Sequence, residues 1–423
     1  MADNDNHTRL FPGLARQAQK AAAPEPSGKP DNVIPLRPLP EDPGPGPHTW
    51  SDDGGRRRGR ARRIVLLAVL ALLLAAAVAA VIWGSAADLD ALRRSYIYRG
   101  LSADSRGIAG LGSLPQAGET GVMGRRVVLA NELGLQALDE DVSVLASCVT
   151  RLNDPVLCTG AKAALAYDPG KTTLCVISSA MQTATLTADA AILGADVSEG
   201  GSFCYLTAAD SCKNTLIVHS AQFSQIFRWN SETRYLTAAA LSDNGQTVAA
   251  VGAGSRDGAY WSSLLLLRTD SDSPAADIDL EERLVLWLDW IGDTCAVVCE
   301  DEVRFYSAAG VLLGSYALRE APAAAAAGDG WLALLTGSGR SGRTLLALST
   351  AGAELGRAAV AGENPQLSAA GRYAALTTSQ GVSIYTRTMA PYGEAAATLT
   401  GGHQRADGSV LLTDGQTLSL YLP

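Results

Sequence analysis

The sequence predicts an all-β protein: a seven- or eight-bladed β-propeller of four-stranded antiparallel blades, preceded by one transmembrane α-helix and a disordered N-terminal tail. Three observations predict it. One apolar run, Ile64–Trp83, is uninterrupted and follows an arginine cluster. From residue 99 onward the chain turns into short alternating or apolar segments punctuated by glycine. Those turns recur at about 40 residues, the period of a propeller blade.

Residues 1–63 read as a disordered cytoplasmic tail. Ten of the chain's 18 prolines fall within its first 47 residues, and EDPGPGPHTW (41–50) has nothing to bury. Its apolar islands are LFPGL (10–14) and NVIPLRPLP (32–40). The second can adopt the polyproline II form that aromatic grooves recognise, although a solvated tether is the simpler reading.

Residues 64–84 read as a transmembrane signal anchor. Twenty helical residues reach about 30 Å, the thickness of a bilayer's hydrocarbon core. A cleavable signal peptide would have a shorter apolar core nearer the chain start, although Gly84-Ser85-Ala86 would pass as a cleavage site. A buried helix of a soluble core usually keeps a polar stripe, and this run has none. Arg56, Arg57, Arg58, Arg60, Arg62 and Arg63 precede the run, while Asp88 and Asp90 follow it. The positive-inside rule then leaves the N-terminus in the cytoplasm and the C-terminal domain outside a cell membrane crossed once. The same arginines sit where anionic headgroups attract them, so the lipid bilayer is the expected partner of residues 64–84. Residues 85–98 form a juxtamembrane segment, either helix or strand.

Charge divides across the anchor: net +3 for residues 1–63 and net −12 for the remainder. An acidic outer domain argues against nucleic acid as a partner. All seven cysteines lie there, at 148, 158, 175, 204, 212, 295 and 299, and an odd count leaves at least one unpaired. Cys295 and Cys299 share one face of a strand about 13 Å apart, too far to bridge. Cys204 and Cys212 flank a hairpin and form the predicted disulfide. Beyond the anchor there is no C-x-x-C pair and only His219 and His403, so neither a metal site nor a cofactor is expected.

The blades of residues 99–423 are read from two turn series. EVRFYSAAGVLL (302–313), RTLLALSTAGAEL (343–355) and GVSIYTRTMAPYGEA (381–395) place Gly310, Gly352 and Gly393 at spacings of 42 and 41, and ALAYDPGKTTL (164–174) reads as a further copy. The second series is ALSDNGQTVAAV (240–251), AAGDGWLALL (327–336), LSAAGRYAALT (367–377) and RADGSVLLT (405–413), with Gly330, Gly371 and Gly408 spaced 41 and 37. Four antiparallel strands per unit follow, because one sheet cannot cover both its faces and must stack on the next. A β-sandwich array or a β-solenoid is the alternative. The last unit, Gly401–Pro423, has room for three strands. A strand near Tyr96–Leu101 or within 107–123 is expected to complete it. Trp287 and Trp290 in LVLWLDWIGD read as packing residues.

FYSAAGVLL and AYDPGKTTL resemble the strand–turn–strand signature of the WD40-like and quinoprotein-like propeller superfamily. The order of arginine-capped anchor and propeller, over residues 56–423, resembles an uncharacterised bacterial single-pass membrane family of unknown function. Such a resemblance implies a fold and no activity.

Enzyme signatures meet missing parts. The adjacent cysteines and repeated tryptophan motifs of quinone-dependent dehydrogenases are lacking. Ser242-Asp243-Asn244-Gly245-Gln246-Thr247-Val248 is one residue short of the sialidase turn and ends in valine; Asn-Gly suits a tight turn. Residues 337–342 match G-x-G-x-x-G, but a strand-like RTLLALST follows where a dinucleotide site needs a helix. No G-x-S-x-G is present. No catalytic residue is therefore assigned. GAGSRDGAYW (252–261) and GSGRSGR (337–343) occupy one position in their blades and both carry arginine in a glycine-rich loop. Arg256, Trp261 and Arg340 are accordingly the candidate ligand-face residues, against the plainer reading of two solvated hairpins.

The expected function is a membrane-tethered extracytoplasmic binding or scaffold module whose propeller face takes a protein or envelope ligand, with an envelope or membrane protein as partner. The alternatives are a transmembrane sensor relaying binding to the tail, and an enzyme acting on envelope polymers.

Overall fold

The computed structural model describes residues 65–72, 86–338, 342–362 and 364–423. The chain divides into two units, Met1–Leu73 and Leu74–Pro423. In the first, residues 65–72 are helical and exposed. The tail, the six arginines from Arg56 to Arg63 and the rest of the apolar run lie outside the described residues. Among the described residues no helix is long and apolar enough to cross a membrane.

The second unit holds eight four-stranded antiparallel sheets. Blades 1 to 7 occupy residues 119–149, 156–187, 192–231, 235–281, 285–317, 322–360 and 366–396. Each sheet takes its four strands in sequence order, from the axis outward. Blade 8 takes three strands from residues 401–421, and Ile108–Ser113 pairs with Thr417–Tyr421 as its fourth. The expected latch therefore comes from 107–123. The chain around Tyr96 is instead the end of a helix, Ala86–Ile97.

Burial explains the strand compositions. Second and third strands are covered by neighbouring blades on both faces, so every residue of Ala163–Tyr167 and Asn214–His219 is buried. The sequence AALAY is accordingly a nearly continuous apolar run, while in NTLIVH the apolar Leu216–Val218 is flanked by the buried polar Asn214, Thr215 and His219. Outer strands have one face in solvent and alternate, as in Thr183–Thr187 and Glu354–Val360. Eight apolar clusters result, one in each seam between successive blades, the eighth joining blade 8 to blade 1. Trp290 and Trp331 also tie seams with their indole N–H groups, donating to the Ala240 carbonyl at 3.0 Å and the Gly371 carbonyl at 2.8 Å.

The second turn series is a true repeat: Gly245, Gly330, Gly371 and Gly408 all join first to second strands. The first series is not. Gly310 and Gly352 join third to outer strands, but Gly393 lies within the outer strand Pro391–Ala396, and the Gly170 turn joins second to third strands. The position equivalent to Gly352 is Met389 in blade 7, and Val142, Met181 and Phe223 in blades 1 to 3, all with φ between 61° and 66°. These four side chains leave the turn and pack into the seam with the preceding blade.

The seven cysteines are free. The expected Cys204–Cys212 bridge is overturned by register. Cys204 pairs with Val218, while Cys212 lies beyond the far strand end at Asn214, at least about 13 Å along the strand. Cys204 is wholly buried in the seam of blades 3 and 4, and the Cys212 thiol donates to the Asn214 carbonyl at 3.3 Å.

Candidate functional site

Successive hairpins of a blade alternate between the two faces of the disc. The turns joining first to second strands all reach one end of the axis, where they surround a cavity of about 720 Å3. Tight turns keep this mouth open; a Cβ on Gly371, at φ +59°, would lie 2.7 Å from the Ala406 carbonyl of the next blade.

One wall of the mouth is acidic. Glu199, Asp243 and Asp329 line it from blades 3, 4 and 6. Asp196 and Asp289 stand on the first strands of blades 3 and 5. Asp196 accepts the Leu241 N–H at 2.8 Å, and Asp289 accepts the N–H of Trp290 at 2.7 Å. Burial, reinforced by the neighbouring Glu199 and Asp243 carboxylates, pushes the Asp196 carboxyl up to about 6. Burial and the Asp196 charge push Asp289 well above the carboxylate range. Glu199 and Asp243 are raised in the same way.

The opposite wall belongs to blade 8. Arg405 is 6% exposed and donates to the Arg125 carbonyl at 3.1 Å and the Tyr98 hydroxyl at 3.2 Å. The Gln404 amide N–H groups donate to the Arg405 and Ser409 carbonyls, while its Oε1, like Arg405 Nε, has no partner among the described residues. His403 Nε2 lies 3.3 Å from Thr120 Oγ1, and burial pushes its imidazole below the ordinary value.

Behind this wall the helix Ala86–Ile97 is clasped to blades 7 and 8. Arg94, 4% exposed, donates to the Asp407 carbonyl at 2.5 Å, the Tyr392 hydroxyl at 2.8 Å and the Pro423 carbonyl at 2.9 Å. The Tyr98 hydroxyl donates to Asp407 Oδ2 at 2.9 Å, and that of Tyr373 to Asp90 Oδ2 at 2.8 Å. Tyr98 thereby bonds both Asp407 and Arg405, joining the helix end to the mouth.

Arg256 and Trp261 are brought together on a hairpin of blade 4, at the face opposite the mouth. The Arg256 guanidinium lies 4.4 Å from the Trp261 ring centroid and Arg234 lies 5.1 Å from it. Asp279 accepts Arg256 at 2.8 Å and the Trp261 indole N–H at 2.8 Å, and the first of these bonds leads in drawing its carboxyl down to about 2. These groups satisfy one another. Arg340 lies outside the described residues; the strands that flank it, Trp331–Ser338 and Gly342–Ser349, form the equivalent hairpin of blade 6. Arg234 also donates to both Asp277 carboxylate oxygens, at 2.8 and 2.9 Å; sequence reasoning missed Arg234, Asp277 and Asp279 of this cluster and the whole axial mouth. The available signal for the mouth was acidic or basic residues just before three of the four repeated turn glycines: SDNG, GDG and RADG. Among the described residues no three His, Cys, Asp or Glu side chains converge as metal ligands.

A solved structure shares the fold. The C-terminal WD40 domain of Sif2 is similar at a TM-score of 0.55 and 9% identity, over 76% of this chain and all of that one. BamB from Moraxella catarrhalis is similar at 0.49 and 12%, over 76% of this chain and 99% of that one. No curated protein matches the sequence. A family profile covers residues 117–389, from the start of blade 1 into the last turn of blade 7, and by that match the chain belongs to the family of unknown function DUF5711.

Proposed function

We propose that the protein is a membrane-tethered, extracytoplasmic binding module, and that the axial mouth is where it docks a protein segment carrying a basic side chain. The observation that carries this reading is the segregation of charge around the mouth. Glu199, Asp243 and Asp329 stand on one side, and Arg405 with the unpaired Gln404 Oε1 on the other. A lysine or arginine entering the acidic wall would relieve the like-charge repulsion there, and its backbone carbonyl could accept from Arg405. Tethering rests on the apolar run and its arginines, which end three residues before the helix Ala86–Ile97 begins. No catalytic role is assigned to any residue.

The test is crosslinking and pull-down of the intact protein from membranes, read by mass spectrometry, with the double variant Glu199→Gln, Asp243→Asn beside the parent. Capture of an envelope or membrane protein by the parent, reduced about tenfold or more in the variant, is expected. Equal capture by both proteins would remove the mouth from the interaction. Recovery of the chain in the soluble fraction would remove the tether.

One observation favours a second reading, a sensor that relays binding to the tail. Arg405 in the mouth donates to Tyr98, which follows the helix Ala86–Ile97, and that helix comes after the apolar run in the sequence. Partners captured by residues 1–63 only when the mouth is occupied would support it.

A further inference from the structure

We propose that Cys148 and Cys175 are a disulfide-forming pair that can covalently join blade 1 to blade 2. Cys148 lies on the outer strand of blade 1, Val144–Val149, and Cys175 on the third strand of blade 2, Thr173–Ser178. Both belong to the apolar cluster of that one seam. The Cys175 thiol donates to the Cys148 carbonyl at 3.4 Å. Cys148 Sγ lies 3.2 Å from the Ala184 carbonyl and 3.3 Å from Thr185 Oγ1, both on the strand next to that of Cys175. Among the described residues no other cysteine thiol donates to a second cysteine: Cys158 donates to Ala195 and Cys212 to Asn214.

The pair is chemically asymmetric. The thiol of Cys175, then Thr185 and a backbone N–H, stabilise a Cys148 thiolate and hold that group well below an ordinary thiol. The same contact, with burial, raises Cys175. A thiolate beside a protonated thiol is the arrangement that opens thiol–disulfide exchange. Cys148 lies at the rim of the disc, one residue from Val149, which is 75% exposed. Opening of this edge strand gives a small disulfide access.

The step balances with a disulfide RSSR as oxidant. Cys148 thiolate attacks one sulfur of RSSR, forming Cys148–S–S–R and releasing RS−. Cys175 gives its proton to RS− and attacks Cys148 Sγ, expelling a second RS−, which takes up the proton Cys148 had lost. The two cysteines surrender two electrons and two protons, and RSSR becomes two RSH. The pair itself does not depend on the compartment; the extracytoplasmic reading supplies only the setting in which such a bond persists.

The test titrates the purified full-length protein with oxidised glutathione, followed by thiol counting under denaturing conditions and peptide mapping. A fall from seven free thiols to five, with one linked peptide joining Cys148 to Cys175, is expected. The oxidised protein should melt several degrees above the reduced one, and this difference should vanish in Cys148→Ser and in Cys175→Ser. A count that stays at seven, a linked peptide of another pair, or a glutathione adduct that persists on Cys148 would each overturn the proposal. The map of the parent protein alone decides it should either variant fail to fold.

Discussion

Arg94 shows how much one side chain can hold when it leaves water. Its guanidinium serves the Asp407 and Pro423 carbonyls and the Tyr392 hydroxyl, and lies 5.5 Å from the Tyr392 ring centroid. Arg94→Met should strand those acceptors and cost about 2–4 kcal/mol in denaturant titration. Leu92→Ala, on the exposed side of the same helix, should cost under about 0.5 kcal/mol. The carboxylates of the mouth act in the opposite sense. A carboxyl whose folded-state value is raised keeps its proton after the unfolded chain has lost it. Its presence therefore lowers stability as pH climbs from about 4, the ordinary aspartate value, to the folded value, about 6 for Asp196. Asp279 and Glu354, both held at about 2 by arginine partners, lose their contribution only as pH falls from about 4 toward 2. The melting temperature should thus peak near pH 4–5 and decline toward pH 7. Asp289→Asn keeps an acceptor for the Trp290 N–H and removes a charge. It should raise the melting temperature by a few degrees at pH 7.5 and leave it unchanged at pH 4. A lower value at pH 7.5 would refute like-charge repulsion as the source of the slope.

At the scale of turns and strands, the third-to-outer turns of blades 1–3 and 5–7 each hold one residue at φ > 0, which these blades fill in two ways, while the 269–273 turn of blade 4 has none. Blades 5 and 6 use Gly310 and Gly352, while Val142, Met181, Phe223 and Met389 accept about 1 kcal/mol of strain and bury a side chain in the seam. At Gly352 a Cβ would lie 2.7–2.8 Å from the Ser315 backbone of the preceding blade, whereas at Gly170 it would meet nothing within 4 Å. Gly352→Ala should cost about 3 kcal/mol or more, and Gly170→Ala, at φ +80°, only about 1 kcal/mol. Thermal melts of the two variants separate a seam clash from a purely local conformational cost. The same turns decide what the sequence could disclose. The first-to-second turns carry glycine at Gly245, Gly330, Gly371 and Gly408, so their period is readable. The third-to-outer turns hide theirs behind apolar residues, and Gly393 matched the spacing by coincidence. EAPAAAAAGDG forms the strand Pro322–Gly328 despite alanine's helical preference, because the blade, not local propensity, supplies its partners. The mouth was illegible for another reason. Glu199 and Asp243 meet because successive blades stack, Arg405 faces them only because the ring closes, and no local spacing encodes either.

For the whole molecule, ring closure rests on one short strand drawn from the other end of the chain. Ile108–Ser113 pairs with Thr417–Tyr421 at five positions, with Ala109 1% exposed and Ile108 packed against the seam of blades 7 and 8. Without it Thr417–Tyr421 becomes a bare edge, and a bare apolar edge recruits other chains. Two truncations isolate this contribution, because both lack the helix and its Arg94 clasp: residues 107–423 keep the latch and residues 117–423 do not. The longer protein should be monomeric with one cooperative transition. The shorter should lose about 3–5 kcal/mol, from the forfeited ladder bonds and buried apolar surface, and should associate in light scattering as concentration rises. A peptide of residues 107–116 added in trans should restore the monomer, since the latch acts by occupying an edge rather than by covalent continuity. If residues 117–423 were as stable and as monomeric as 107–423, closure would instead be held by the contact between the first strands of blades 8 and 1, Gly401–Gln404 and Glu119–Met123. The latch strand would then be only an ornament of the rim.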